Sequence, residues 1–509
     1  MTRPTLTQTI APRVLWAAVL STGCVGPAYR VPRAPAPVAA AYREARGMWK
    51  LAAPLDAIPR GRWWEMFREP ELDALERRLN IDNQSIALAV ENTLQARAQI
   101  RAARASYFPT VTADPSATWF RSSGAFGVGA ASAAMAGSQG TSSLAGRHVV
   151  YTAPIDASWA PDLFGRVRYA VHQRQYAAQV SAADLEGTRL AAQATLARSY
   201  FQLRAQDTLV DYLVATVQAD QEIAELTRLQ FDAGLATEIA VVQAELTLRT
   251  ARVQATNAGI LRAALEHAIA TLLGAPATDF ALPRRGLTTK PPRIPTGAPS
   301  QLLERRPDIA AAERQMASAS AVIGLGYTAY YPLITLTGTA GFESSALHSL
   351  FDWPSRIWAL GAALTETVFD GGLRRANIDQ AVAAYHATVA SYRQTVLAAF
   401  QQVEDDLAAL RILAQELVDQ RAVVELAQKA FELEKARYEK GLDPYIDLAL
   451  QQTALLAAQQ TLVSVESSQM VSAVALVEAL GGGWDRSELP TPGQVSAPAP
   501  PGAYELGRP

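Results

Sequence analysis

The sequence predicts a mainly helical protein that also contributes a small β-sheet portion, with one structural unit present twice in the chain. Three observations lead to this fold class. Motifs recur in the same order in two halves, a seven-residue apolar spacing persists over long stretches, and four short segments alternate polar and apolar residues. The chain has 509 residues, which is enough for two copies and for the segments that flank them.

The two copies are predicted at residues 61–285 and 286–483. An aromatic pair, a proline and an alternating run occur at residues 107–112 and again at 330–335. A phenylalanine with glycine one or two residues later precedes a long helical stretch in each copy, at Phe164 and Phe369. Self-similarity at this scale indicates that the chain builds one supersecondary unit twice.

The long helices are predicted from a seven-residue apolar spacing that superimposes between the copies. Helix from about Arg166 to Asp232 would be about 100 Å long at a rise of about 1.5 Å per residue. Sustained spacing of this kind indicates helices packed side by side with a left-handed supercoil. The two series are Leu196, Leu203, Val210, Val217, Ala224, Phe231 and Val403, Leu410, Leu417, Val424, Phe431, Tyr438.

Four strands are predicted, in two pairs, at about 105–120, 150–162, 329–343 and 357–369. Four strands cannot close a membrane barrel, and an open sheet edge is not tolerated in lipid. If these strands cross a membrane, several chains must therefore share one barrel. The Gly-, Ala- and Ser-rich stretch 121–149 is predicted to be a surface loop.

The N-terminus has the pattern of an export signal at residues 1–23. Basic residues precede a short apolar run that ends in small residues before Cys24, the only cysteine. One interpretation is a secretory signal followed by a chance cysteine. The other is a lipoprotein signal, in which cleavage leaves Cys24 as the acylated first residue, and Val25 rather than aspartate then favours the outer membrane.

The segments outside the two copies are proline-rich. Residues 24–60 are predicted to be a lipid-anchored tether and the start of the folded part. Three glycines at 481–483 are predicted to end the last helix, and residues 484–509 are predicted to be a disordered tail.

Composition and spacing point away from several function classes. The near-balanced charge gives no basis for a nucleic-acid partner. The five histidines lack metal-ligand spacing, and no phosphate loop or nucleophile elbow is present. No apolar run is long enough to predict a transmembrane helix. We therefore predict no enzyme, no metal site and no cofactor beyond a covalent lipid.

Several motifs in order resemble one family. Residues 24–27 and the following Tyr29 and Pro32 resemble the mature start of its lipoprotein branch, and Trp63-Trp64 with residues 69–75 resemble the start of its first helix. Residues 302–313, Leu-Leu-Glu-Arg-Arg-Pro-Asp-Ile-Ala-Ala-Ala-Glu, are the most specific stretch. The family is that of the outer-membrane factors of tripartite efflux pumps, of the TolC and OprM type and the NodT-like lipoprotein branch.

The resemblance implies a homotrimer in which twelve strands form a barrel in the outer membrane and twelve helices continue it through the periplasm. It implies a passive outer-membrane channel that receives drugs or other small molecules from an inner-membrane RND-type transporter through a periplasmic membrane-fusion adaptor. It does not identify the exported compound or the pump. The alternatives are an outer duct for protein secretion or metal export and, in another class, a lipid-tethered periplasmic coiled-coil scaffold.

The resemblance also assigns site residues. Gly234-Leu235 and Gly441-Leu442 match the hairpin tips that dock on the adaptor, although such glycines also simply end helices. Asp447 matches a carboxylate that forms an inward ring at the periplasmic gate, whereas the alternative is a solvated aspartate. Tyr438 is expected either at this gate or in ordinary packing. Leu450 and Asp443 depart from the family's pattern of gate residues.

Overall fold

The computed structural model describes residues 29–31, 42–44, 62–121, 147–294, 304–498 and 503. Cys24, the predicted signal, most of the predicted tether and most of the Gly-, Ala- and Ser-rich stretch lie outside these residues. The described residues belong to two compact units. One unit contains the β-strands, with 98–121, 147–175 and 317–385, and the other is helical, with 62–97, 176–294, 304–316 and 386–498.

The elements follow the two-copy order. The helices are α1 Pro70–Asp82, α2 Gln84–Ala105, α3 Arg166–Asp232, α4 Glu238–Leu272, α5 Pro307–Thr328, α6 Leu373–Glu439, α7 Tyr445–Ala479 and α8 Pro492–Val495. The strands are β1 Thr110–Ala113, β2 Ser116–Arg121, β3 Arg147–Trp159, β4 Leu333–Ser344 and β5 Arg356–Thr365.

Corresponding helices have equal lengths in the two copies. Helices α3 and α6 have 67 residues each, α4 and α7 have 35 each, and α2 and α5 have 22 each. Each long helix begins 207 residues after its counterpart, as positions 166 and 373 show, whereas α5 begins 223 residues after α2. From the start of the short helix to the end of the second long helix, the copies therefore differ in length only between the short helix and the first long helix, where the strands lie.

An aspartate caps the start of each of the longest helices. The carboxylate of Asp162 accepts backbone N–H groups of Val167 and Arg168, each at 2.9 Å. The carboxylate of Asp370 accepts those of Gly372 and Arg374 at 2.9 and 3.1 Å. These bonds satisfy N–H groups that the first helical turn leaves without partners.

The β-strands form one antiparallel sheet in the order β1–β3–β4–β5, and β2 also pairs with β3. Strands β1 and β2 keep one register along β3, with Ala113 opposite Ile155 and Ser116 opposite Thr152. They are thus one strand interrupted at Pro115, which has no N–H to donate. The described residues contain the four strands that the sequence predicts, with shorter bounds at several ends.

The sheet has one polar and one apolar face, because alternate residues of a strand point to opposite sides. The paired residues on the polar face include Thr112, Ser158, Asp156, Thr337 and Thr339. Those on the apolar face include Val111, Ile155, Trp159, Leu336, Trp358 and Leu360. Many of these apolar side chains are exposed in one chain, among them Trp358 and Leu360. Within the described part of the chain, β5 and the interrupted β1–β2 strand each have one unpaired edge.

The start of the second copy has a structural role in the helical unit. Pro307 occupies the first turn of α5, and Asp308 accepts the N–H of Ile309 at 2.9 Å. The guanidinium of Arg306 binds Asp308 and also donates to the carbonyl of Ala479 at 2.9 Å. It therefore joins the start of α5 to the end of α7.

Residues 484–498 differ from the predicted disordered tail. The side chains of Trp484 and Val495 are buried, and a capping box of Thr491 and Gln494 starts α8. The carbonyl of Pro490 accepts a hydrogen bond from Gln179 at 2.7 Å. The prediction of disorder is wrong for this part. It was based on composition, which does not show that Trp484 and Val495 are buried.

Helix α7 is the one helix among the described residues that is long and apolar enough, by length and composition, to cross a membrane. More than half of its most apolar window is buried inside the protein, at 56%. Its buried side chains pack along most of its length. A core helix passes the same test, and these contacts assign α7 to the core of the helical unit.

Candidate functional site

The candidate site comprises the two turns that join the long helices, residues 233–237 (the first tip) and 440–444 (the second tip). In the first tip the N–H of Leu235 donates to the carbonyl of Gln230 at 2.7 Å and that of Gly234 to Phe231 at 2.8 Å. Gly234 has a φ of 76°, in the left-handed region that favours glycine. These two bonds define a Schellman motif that closes the helix end.

The second tip repeats this geometry. The N–H of Leu442 donates to the carbonyl of Arg437 at 3.0 Å, the N–H of Gly441 donates to Tyr438 at 2.9 Å, and Gly441 has a φ of 69°. A structural role is therefore shown for both glycines, since each supplies the left-handed residue of its cap. Docking would be a second role.

The leucine of each tip is left without cover. The residue after the glycine of a Schellman motif often packs against the preceding helical turn. Here Leu235 is 81% exposed and Leu442 is 65% exposed, so the caps do not use most of their apolar surface. Two exposed leucines at equivalent positions are a feature that a partner surface could cover.

The second tip and the end of α6 carry charges at positions where the first copy has none. The guanidinium of Arg437 binds the carboxylate of Asp443 through two nitrogens, one bond being 2.8 Å long. This partner lowers the pKa of Asp443. Glu434 lies beside them, and the pKa of its carboxyl is raised by burial and then by Asp443. The corresponding residues in the first copy, 207 positions earlier, are Thr227, Gln230 and Ala236.

Asp447 lies in the first turn of α7, where its N–H donates to the carbonyl of Pro444 at 3.2 Å. Its side chain is partly exposed, and Leu450 on the next turn is exposed. A carboxylate in the first turn of a helix also interacts favourably with the helix dipole. The position thus suits either a pore-facing role or helix capping.

Tyr438 lies in the core and not on a free surface. It is 5% exposed, its hydroxyl is 2.6 Å from that of Thr227 on α3, and its ring meets Tyr445 edge-on at 6.1 Å. Residues from all four long helices form this cluster: Ile223, Ala244, Phe431, Tyr438, Tyr445, Leu448 and Leu455. Of the two expected roles, packing is the one that the contacts display.

The ion pair of Arg437 and Asp443 was not predicted from the sequence. The six-residue separation crosses the turn, and neither helical nor strand spacing would join the two residues. Gly441, which lies between them, could have indicated the pair. A Schellman turn at a glycine brings the residues on its two sides close together. In the described part of the chain, no group of three or more His, Cys, Asp or Glu side chains could hold a metal ion.

Comparison with known proteins decides the family. The family described as Outer membrane efflux protein matches residues 74–275 and 298–482, which is most of the chain. The chain belongs to the outer membrane efflux protein family. Members of this family are efflux components and not enzymes, and they reside in the outer membrane and extend into the periplasm.

Two relatives are similar over nearly their whole length. The antibiotic efflux pump outer membrane protein ArpC of Pseudomonas putida is 31% identical over 500 residues, covering 98% of this chain and 100% of that protein. The toluene efflux pump outer membrane protein TtgC, also of Pseudomonas putida, has the same identity and coverage. The family member described here is accordingly an outer-membrane efflux pump component.

A solved channel has the same fold. The open-state structure of the MtrE outer membrane channel of Neisseria gonorrhoeae matches with a TM-score of 0.75 and 26% identity, covering 91% of this chain and 99% of that one. The mainly helical fold of the outer-membrane efflux channels is therefore confirmed for this chain.

Proposed function

We propose that three copies of this chain form a passive duct. In this duct a twelve-strand barrel lies in the outer membrane and a twelve-helix barrel lies in the periplasm. The observation that carries the proposal is the two-faced sheet with an unpaired edge at each side. Unpaired backbone groups are costly in hydrocarbon, so sheets from other copies would have to complete the barrel. The apolar face would meet lipid, and the polar face would line the pore.

The helical part supports association of copies as well. One face of α4 carries apolar side chains at the seven-residue spacing of a coiled coil, and they are exposed in the single chain. We assign this face to a neighbouring copy, because a second chain supplies helices of matching length and spacing. The side chains are Ile239, Val242, Leu246, Val253 and Ile260.

The duct would receive its cargo through two partners. We propose that an inner-membrane RND-type transporter supplies the energy and that a periplasmic membrane-fusion adaptor connects it to the tips. Leu235 and Leu442 would enter apolar pockets on the adaptor. Since the two relatives are named for antibiotic and toluene efflux, we propose small apolar or amphiphilic molecules as the cargo class.

The gate would lie at the same end. Three copies of Asp447 around a threefold axis would attract cations and repel anions. Tyr438 would act by holding the helices of one chain together, through its bond to Thr227. Asp443 would act within its own chain, because Arg437 already binds it.

We further propose that Cys24 carries the lipid anchor and that no other cofactor is needed. Cys24→Ser should abolish incorporation of labelled palmitate, while the variant remains in the membrane fraction because its strands still insert. Undiminished labelling of the variant would remove Cys24 from this role.

A test of the duct uses the purified full chain in detergent and in planar bilayers. We expect a trimer that resists SDS without heating and discrete ion conductance after reconstitution. A lipid-tethered scaffold would give neither result. A secretion or metal-export duct would also conduct ions, so deletion of the gene distinguishes it. Cells that keep solvent and antibiotic resistance after deletion, but lose secretion of a protein or tolerance of a metal ion, would favour such a duct instead.

A further inference from the structure

A carboxylate is buried in the packed seam of α3, 13 residues before the first tip. Side chains at spacings of three and four residues form this seam, as in a coiled coil, and Asp220 is 4% exposed. The other polar members have partners: Thr216 bonds the carbonyl of Tyr212, and Thr227 bonds Tyr438. The seam consists of Leu213, Thr216, Asp220, Ile223 and Thr227.

No cation among the described residues compensates the burial of Asp220. Two cations approach this turn of α3 but bind its neighbours. Arg252 of α4 donates to Gln221 at 3.2 Å, and Lys435 of α6 lies 3.5 Å from Glu222. From α7, Tyr445 is the titratable group that faces Asp220.

The second copy shows that the seam does not require an acid at this point. The residue 207 positions after Asp220 is Ala427, which packs as an ordinary apolar contact against the buried cluster that contains Tyr438. A small apolar residue therefore suffices for packing in the equivalent helix. A buried carboxylate is costly when charged, so its presence in only one copy calls for a role besides packing.

The free-energy cost of burying Asp220 depends on whether its carboxyl is protonated. Burial raises the pKa of Asp220 from 3.8 to about 6. The neutral form suits the packed seam, so the packed state is most stable below the ordinary value and loses stability as the pH rises through about 6. Above that value the charged carboxylate favours any arrangement in which water reaches it.

We propose that Asp220 makes the packing of the helix ends responsive to protons: when neutral it keeps α3 packed against the other long helices, and when ionised it loosens this packing. The inference rests on the proposed function, since loosening at the periplasmic end would ease opening of the duct. It concerns a group inside the wall, distinct from the proposed Asp447 ring at the pore.

The test measures the helix ends directly, in the full-length chain in detergent. A spin label on Ala233→Cys reports the mobile fraction of the first tip from about pH 4.5 to about pH 8. We expect that fraction to rise about threefold or more, with a midpoint near 6. Unmutated protein, treated with the same label, controls for labelling at Cys24.

Two variants decide whether Asp220 is responsible. Asp220→Asn keeps the shape of the side chain without its charge, so the mobile fraction should stay at its low-pH value across the whole pH range. Asp220→Ala introduces the residue type found at the equivalent position of the second copy and should have the same effect. Glu222→Gln, two positions away and well exposed, should keep the full response. A flat response in labelled Ala233→Cys with Asp220 intact, or an unchanged response when Asp220→Asn is added, would overturn the proposal.

This readout is separate from channel activity. If the label responds as expected but bilayers show no conductance, the proton response stands and the duct fails. If conductance is normal and the label does not respond, the duct stands and the role of Asp220 fails.

Discussion

Thr227 and Tyr438 connect the two longest helices through a hydrogen bond of 2.6 Å between their hydroxyls, and both side chains are buried. Thr227 belongs to α3 and Tyr438 to α6, so the bond links the two copies of the repeat near their tips. The hydroxyl of Thr227 also lies 2.8 Å from the carbonyl of Ile223, so it remains partnered if Tyr438 is changed.

Tyr438→Phe should lower the apparent Tm, because a buried hydrogen bond contributes about 1 kcal/mol. Thr227→Val in the same chain should add little, since the two hydroxyls act together. Thermal unfolding followed by circular dichroism measures both. The control is Tyr327→Phe on a more exposed tyrosine, and an equal shift there would argue against a special role for the bond.

Asp443→Asn should make the second tip more open to trypsin at Arg437 and Lys440. The ion pair contributes only while Asp443 is charged, and its lowered pKa keeps it charged at neutral pH. In the unmutated chain the contribution is present above the ordinary value of 3.8 and is lost as pH falls through the lowered one. We expect cleavage about two- to fivefold faster at neutral pH.

Asp232→Asn near the first tip is the matched control for this change. It removes a carboxylate at a helix end without removing the pair at the second tip. Cleavage at Arg437 and Lys440 should then keep its original rate, and acceleration by the control would assign the effect to net charge.

Asp447→Asn should reduce the preference of the reconstituted channel for cations, by about twofold or more in the permeability ratio. The reversal potential across a salt gradient measures it. Glu439→Gln, which removes a carboxylate from the end of α6, should change it less. Equal effects of the two variants would place Asp447 outside the narrow part of the pore.

Leu235→Cys and Leu442→Cys should crosslink to the adaptor in cells that express the whole pump. The exposed leucines are equivalent in the two tips, so both positions should react. Leu229→Cys, exposed but located on α3 before the turn, is the control and should react several times less. Crosslinks only between copies of this chain would contradict docking at the tips.

Much of the fold was predictable because long helices repeat a simple spacing. The bounds of α3 agree with the stretch predicted from Arg166 to Asp232, and its counterpart α6 has the same length. The strand count was also predictable from alternation. The packing of Trp484 and Val495 was not, since it depends on contacts with residues distant in sequence. The break at Pro115 has a local cause, because proline lacks the N–H that a strand ladder needs.

The two helix-ending turns were predictable in position but not in their contacts. Glycine–leucine pairs located both tips, and the structure adds that the two leucines are exposed. The apolar spacing also contains Phe231 and Tyr438 at equivalent positions, yet Phe231 is 41% exposed and Tyr438 is 5% exposed. Spacing alone treats the copies alike, whereas burial depends on which helices surround each one.

The equal lengths of the helices in the two copies limit how this protein can vary. One residue inserted into α3 would lengthen it by about 1.5 Å, and its counterpart would no longer match. We expect insertions to be tolerated where the copies already differ, next to the strands. The two hairpins therefore have matched lengths. A change in the length of the helical part would require matched changes in all four long helices.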